Sequence, residues 1–200
     1  MSDLRFDPSK AVTFDLAQGH VHLEGAPSRL LVPADALGLL VEAAGAEAAA
    51  AFGRSLGTSM GRRIASRLSA AEGVGAAAVD LVVEHLGGEL ALAGLGALGL
   101  ERWGRAIVLV VDHCPLGATG DALLEAALGS ALASAAGRSA TVVRLDRDGV
   151  RARFFVGGEP GAAKVKAWLS QGISWGDALV RLHAPSASPA AAIRAEEGEA

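Results

Sequence analysis

Three glycines, Gly53, Gly57 and Gly61, recur at every fourth position inside a stretch whose large apolar residues, Phe52, Leu56, Met60, Ile64 and Leu68, also step by four. The second series predicts a helix over about 47–68 with one continuous apolar stripe. Glycine inside a helix costs about 1 kcal/mol relative to alanine. Three on one face therefore call for a neighbour that has to come close, another helix or a stretch of backbone. The reading assigns this notch to a second chain: Gly53, Gly57 and Gly61 are the expected interface of a homodimer or heteromer. In a membrane the same spacing would suggest helix dimerisation. Arg54, Arg62, Arg63 and Arg67 argue against that, and no stretch approaches the ~20 apolar residues a bilayer requires. No membrane span is expected.

The segments around this helix can be read in the same way. Val12-Thr-Phe14 and His20-Val-His22-Leu23 alternate and suggest a lead-in hairpin. A helix begins near Pro33, whose missing N–H is harmless in a first turn, and Gly45 ends or interrupts it. A third helix is expected over 76–86, capped by Gly87-Gly88. Then follow a strand over 89–94, a glycine-rich loop over 94–104 and a strand over 105–112. The run Ile107-Val-Leu-Val-Val111 is unbroken, as in a strand covered on both faces. A helix over 119–136 leads to two strands, 139–145 and 150–156, joined by the hairpin signal Asp146-Arg-Asp-Gly149. Two short helices, 159–169 and 175–182, precede a tail, 184–200, rich in Ala, Pro, Ser and Glu that is expected to be disordered. Helices and strands segregate, so the fold class is α+β, a helical layer on a mainly antiparallel sheet of four to five strands.

Composition removes several functions. The net charge is −4 and the arginines of 54–67 are spread around one helix, so no basic cluster for nucleic acid exists. A single cysteine, Cys114, excludes an intramolecular disulfide and a multi-cysteine zinc site. Residues 1–10 lack the apolar core of a secretory signal, and a cytoplasmic protein is expected.

Four passages resemble the 4-vinyl reductase domain, a relative of the small subunits of the TRAPP trafficking complex. Leu30-Leu-Val-Pro33 leads into an amphipathic helix. Phe52-Gly-Arg-Ser-Leu-Gly57 with Gly61 is similar to the family's glycine-punctuated second helix. Residues 120–137 stand where the family has the helix before its terminal hairpin, and Asp148-Gly149-Val-Arg-Ala-Arg153-Phe-Phe155-Val is similar to that hairpin. The resemblance covers 30–157, leaving 1–29 as an extended lead-in and 158–183 as a helical appendage. It implies a pocket between helices and sheet, dimerisation through helices, and a sensing or scaffolding role of the kind bacterial regulatory proteins have. Many relatives look like zinc binders with cysteines near the final hairpin. Leu145 and Arg153 occupy the corresponding positions here and cannot ligate zinc, so no metal or cofactor is carried over.

Individual side chains add candidates. Asp112-His113-Cys114 invites a nucleophile, but His113 and Cys114 are strand neighbours that point to opposite faces, and an ordinary buried thiol fits as well. His20 and His22 share a face with Glu24 and suit either a metal or a solvated strand. Gly94-Leu-Gly96-Ala-Leu-Gly99 imitates a dinucleotide fingerprint without the strand–helix context that motif needs. Trp168 and Trp175 are expected to staple the terminal helices to the core.

These observations lead to a non-enzymatic binding protein, read first as a scaffold or adaptor. The alternative is a sensor. Leu56, Met60, Trp103, His113 and Phe155 would then wall a pocket for a small hydrophobic molecule, between helix 47–68 and the sheet, with His85 or His113 as the polar contact.

Overall fold

The computed structural model describes residues 11–23, 29–71, 79–137 and 139–183. The expected tail over 184–200, Glu24 and the first ten residues lie outside them. The chain begins with an antiparallel hairpin, β1 (Val12–Asp15) and β2 (His20–Leu23). The Asp15 carboxylate caps its turn by accepting the amide N–H groups of Ala17 and Gln18 at 3.1 and 3.0 Å. Arg29 then donates its N–H to the Val21 carbonyl at 2.7 Å, which ties the following segment to β2.

Two helices follow. The first, α1 (Ala34–Ala71), merges both expected helices across a kink at Gly45, where φ is 83° and ψ 170°. Only glycine takes that conformation without strain. The second, α2 (Val79–Leu92), runs straight through Gly87 and Gly88. The expected cap there and the expected strand over 89–94 are both corrected. Leu86, Glu89 and Leu90 are buried, and their packing holds two weak helix formers in register. The actual stop is Gly94, at φ 68°. The Gly94 N–H bonds the Ala91 carbonyl and the Leu95 N–H the Leu90 carbonyl, both at 3.0 Å. That is the Schellman arrangement, with Leu95 folded back into the core.

The sheet has four strands in the order β3–β4–β6–β5, all antiparallel: β3 (Ala97–Trp103), β4 (Ala106–Asp112), β5 (Thr141–Asp148) and β6 (Arg151–Gly157). The stretch read as a glycine-rich loop contains β3, which pairs along its whole length with β4. Between β4 and β5 stands α3 (Asp121–Ala136), closed by Gly137 in the left-handed conformation. β5 and β6 form a hairpin with a two-residue loop whose first residue, Gly149, has φ 55°. Two helices end the described chain, α4 (Glu159–Ser170) and α5 (Trp175–His183).

Strand alternation divides the core into two layers. Leu109, Val111, Ala152 and Phe154 point to one side, with Met60 and Ile64 of α1, Leu86 and Leu90 of α2, and Leu124 and Leu128 of α3. Ala106, Val108, Val143 and Phe155 point to the other side, where Ala162, Val165 and Leu179 of α4 and α5 cover them. β4 is thus covered on both faces, as its unbroken apolar run requires. The protein is α+β, with an antiparallel sheet between unequal helical layers.

Candidate functional site

The glycine notch is filled from within. Gly53, Gly57 and Gly61 lie on α3, and a Cβ at each would collide with the carbonyls of Leu123, Ala127 and Ala131. At Gly57 that Cβ would also stand 2.8 Å from the Ala127 Cα. The expected intermolecular interface at these residues is therefore corrected to an intramolecular helix–helix seam. The spacing demanded a close neighbour, and α3 comes from the same chain.

The five expected pocket residues do not converge. Met60 is buried in the first core layer, with Leu56 half-buried beside it. Trp103 and Phe155 belong to the opposite face of the sheet, since they pair with Ala106 and Val108, whose side chains point that way. His113 follows β4 as an exposed residue at φ 59°. Correct strand register, unavailable from spacing alone, separates them. On that outer face Trp103 meets Trp175 edge-on, ring centroids 4.7 Å apart, and donates its indole N–H to Glu101 at 3.0 Å. The Arg153 guanidinium lies 5.4 Å above the Trp175 ring. Leu145 is buried on the same face. Among the described residues no three His, Cys, Asp or Glu side chains gather to hold a metal. His20 and His22 are neighbours, with rings 5.5 Å apart. Cys114 is buried, and burial pushes its thiol above the ordinary cysteine range, away from the thiolate that nucleophilic chemistry needs.

The structure instead brings together a polar group that the sequence reading missed, apart from His85. It lies in the seam between α1 and α2. His85 and Glu89 stand one turn apart on α2 and are 4% and 1% exposed. From α1, the Arg63 Nε donates to the Glu89 carboxylate at 3.0 and 3.2 Å, its Nη2 makes a further bond to Oε2, and Arg67 Nη1 donates to Oε1 at 2.7 Å. Ser59 accepts from Arg63 Nη1 at 2.9 Å. Arg29, just after the hairpin, lies within reach of the charges of Arg63 and Glu89. Its guanidinium is held below the usual arginine range, first by burial and then by the charge of Arg63. Arg63 to Arg67 and His85 to Glu89 are each four residues apart, a spacing that puts them on one helix face. Burial of the charges themselves has no sequence signal.

A second feature is a groove of about 480 Å³ between the α1 kink and the start of α3, lined by Val41, Glu42, Ala46, Ala49, Ala122 and Glu125 among others. Its inner polar groups are committed to each other. Asp121 accepts from Arg147 Nε at 2.9 Å and Arg144 Nη1 at 3.0 Å, and Glu125 accepts the Arg144 backbone N–H at 3.0 Å.

Much of α1 and of the segment that leads into it is uncovered. Leu30, Leu31, Val32, Leu39, Leu40 and Phe52 are all exposed. Contrary to the expectation from sequence, Ala34–Ser69 is long and apolar enough to cross a membrane, with a mean hydropathy of 1.4 over its best window. Alanine and glycine dilute its charges without making it strongly apolar. Only 17% of that window is buried, although the same helix also packs along α3 and pairs with Glu89 through Arg63 and Arg67.

No family model matches the chain, and no curated protein matches it. A solved structure does: the phenol-responsive sensory domain of the transcription activator PoxR, with phenol. The two chains are 14% identical, superpose with a TM-score of 0.56, and match over 89% of this chain and 94% of that one. The two share a fold.

Proposed function

We propose that this chain is a sensory domain that holds a small, largely apolar molecule at the α1–α2 seam and performs no chemistry itself. The observation that carries this reading is the seam. It is a compact polar set buried beside Met60, Ile64, Leu86 and Leu90, which are at most 1% exposed. Ligand sites are commonly built that way, from apolar walls with a few placed polar groups. His85 is the polar contact, because it is buried where His113 is exposed. The nearly full-length likeness to a phenol-responsive domain supports the same class of ligand. The resemblance to the 4-vinyl reductase domain fits as well. Phe52–Gly57 and Gly61 lie in α1, 120–137 carries α3, and Asp148–Val156 closes the β5–β6 hairpin.

A second reading, a scaffold or adaptor, is favoured by the exposed apolar strip from Leu30 to Phe52. A strip of this kind marks a surface that another chain covers. It replaces the glycine face as the surface for a homodimer or heteromer, and it is compatible with a sensor that signals through its partner.

Native mass spectrometry of the purified chain reads both properties at once. A dimer mass with small-molecule adducts on incubation with phenol is the expected spectrum. A monomer would sink the second reading, and a spectrum without adducts at millimolar phenol would count against the first.

A further inference from the structure

We propose that the uncovered face of α1 docks on the same face of a second copy of this chain, with the two helices antiparallel. This deepens the adaptor reading of the exposed strip and rests on it. The glycine face of α1 is sealed by α3, so a partner has to use the other side. At 3.6 residues per turn, Ala48, Ala51, Ser55 and Arg62 fall opposite Gly53, Gly57 and Gly61. All four are exposed. The small side chains among them let a second helix come close. Leu39 and Leu40 extend this surface towards the start of α1, and Phe52 lies at its edge, all three exposed. Six of the twelve large apolar side chains exposed among the described residues fall between Leu30 and Phe52. That is a patch, not the single scattered hydrophobes of an ordinary surface.

The order of charges along α1 identifies the occupant. Its three acids, Asp35, Glu42 and Glu47, all precede Ala48, and its four arginines all follow Gly53. Arg63 and Arg67 turn in to Glu89. The three acids, Arg54 and Arg62 are exposed. The uncovered helix is therefore acidic at its start and basic towards its end. A second α1 laid on it in the same direction opposes acid to acid and arginine to arginine. Laid antiparallel about a two-fold axis, it opposes acid to arginine at both ends, and symmetry repeats each contact. Glu47 and Arg54 stand two turns apart and share a flank. With the axis beside Ala51, Glu47 of each copy meets Arg54 of the other, and Arg62 faces the acidic end that holds Glu42. Exposed pairs of this kind add little affinity. They set direction and register, while the apolar face supplies the driving force. A lipid surface offers no such ordered complement to the charges.

The test is a charge swap, read by sedimentation velocity of the full chain at micromolar concentration and low salt. The wild type is expected to be a dimer. Glu47→Arg and Arg54→Glu, each alone, put like charges at both symmetry-related contacts and should weaken the dimer at least about tenfold. An equimolar mixture of the two variants restores opposite charges at both contacts and should regain the dimer. The double variant in one chain restores them too and should behave as the wild type. Both sites are exposed, so far-ultraviolet circular dichroism of every variant should match the wild type. A dimer that neither single variant weakens overturns the antiparallel pairing and leaves the adaptor reading of the strip standing. So do weakened variants whose mixture stays monomeric. A wild-type monomer overturns both, and its co-sedimentation with phosphatidylcholine vesicles would assign the strip to a lipid surface.

Discussion

Glu89→Ala is expected to destabilise the protein by about 3–5 kcal/mol, the usual cost of removing one partner from a buried ion pair. The Glu89 side chain is fully buried and that of Arg63 is 6% exposed. Removing the carboxylate strands the Arg63 charge between two helices with only Ser59 left on its Nη1. Arg67 is less affected, since its side chain is 21% exposed and can turn towards water. Urea denaturation followed by circular dichroism measures the loss. A matched control separates charge from shape. Glu89→Leu combined with Arg63→Met removes both charges while keeping apolar volume, and should recover most of the stability, because well-packed hydrophobic replacements of buried pairs are often neutral or better. If Glu89→Ala costs less than about 1 kcal/mol, the range of an exposed pair, the seam is open to water and the account of it fails.

Gly57→Ala should cost about 3 kcal/mol, at the upper end of what overpacking does, and lower the melting temperature by roughly 5–10 °C. The added methyl meets the Ala127 backbone, 2.8 Å from its carbonyl carbon and Cα, and a backbone cannot swing aside as a flexible side chain can. Helix propensity alone would favour alanine by about 1 kcal/mol. Gly129→Ala in α3 is the contrast. Its methyl would find neighbours no nearer than 3.7 Å, so propensity should win there and the protein should gain slightly. Differential scanning calorimetry on both variants decides the matter. A Gly57→Ala protein that keeps its melting temperature but changes its assembly would restore the intermolecular reading of the glycine face.

These two sites mark how far the sequence could be read. The four-residue glycine spacing correctly required a close neighbour, because a missing Cβ is a local fact. Which chain supplied that neighbour depended on the distant pairing of α1 with α3. The β5–β6 hairpin and β4 were legible for similar local reasons, a glycine turn and an unbroken apolar run. α2 was not. Gly87-Gly88 looks like a helix end, and only the burial of Glu89 and Leu90 carries the helix on to Gly94. β3 was hidden by Gly96 and Gly99, since its extended form comes from pairing with β4. The candidate pocket failed at the sheet. Residues on either side of one strand layer are near in space yet face different cores, so Met60 and Phe155 could not line one cavity. The α1–α2 seam was only half visible. His85 is legible as a possible polar contact, while Arg63 reads as one of the charges spread around a helix and Glu89 as the start of a strand; neither spacing signals their burial.

The central claim is that this seam binds a small aromatic molecule through His85. Calorimetric titration of phenol into the wild type and His85→Ala tests it most directly. The account predicts saturable one-site binding to the wild type, weakened about tenfold or more when the buried polar contact is removed, with both proteins equally folded. Phenol binding that is unchanged in a folded His85→Ala variant, or no binding to the wild type, would contradict it.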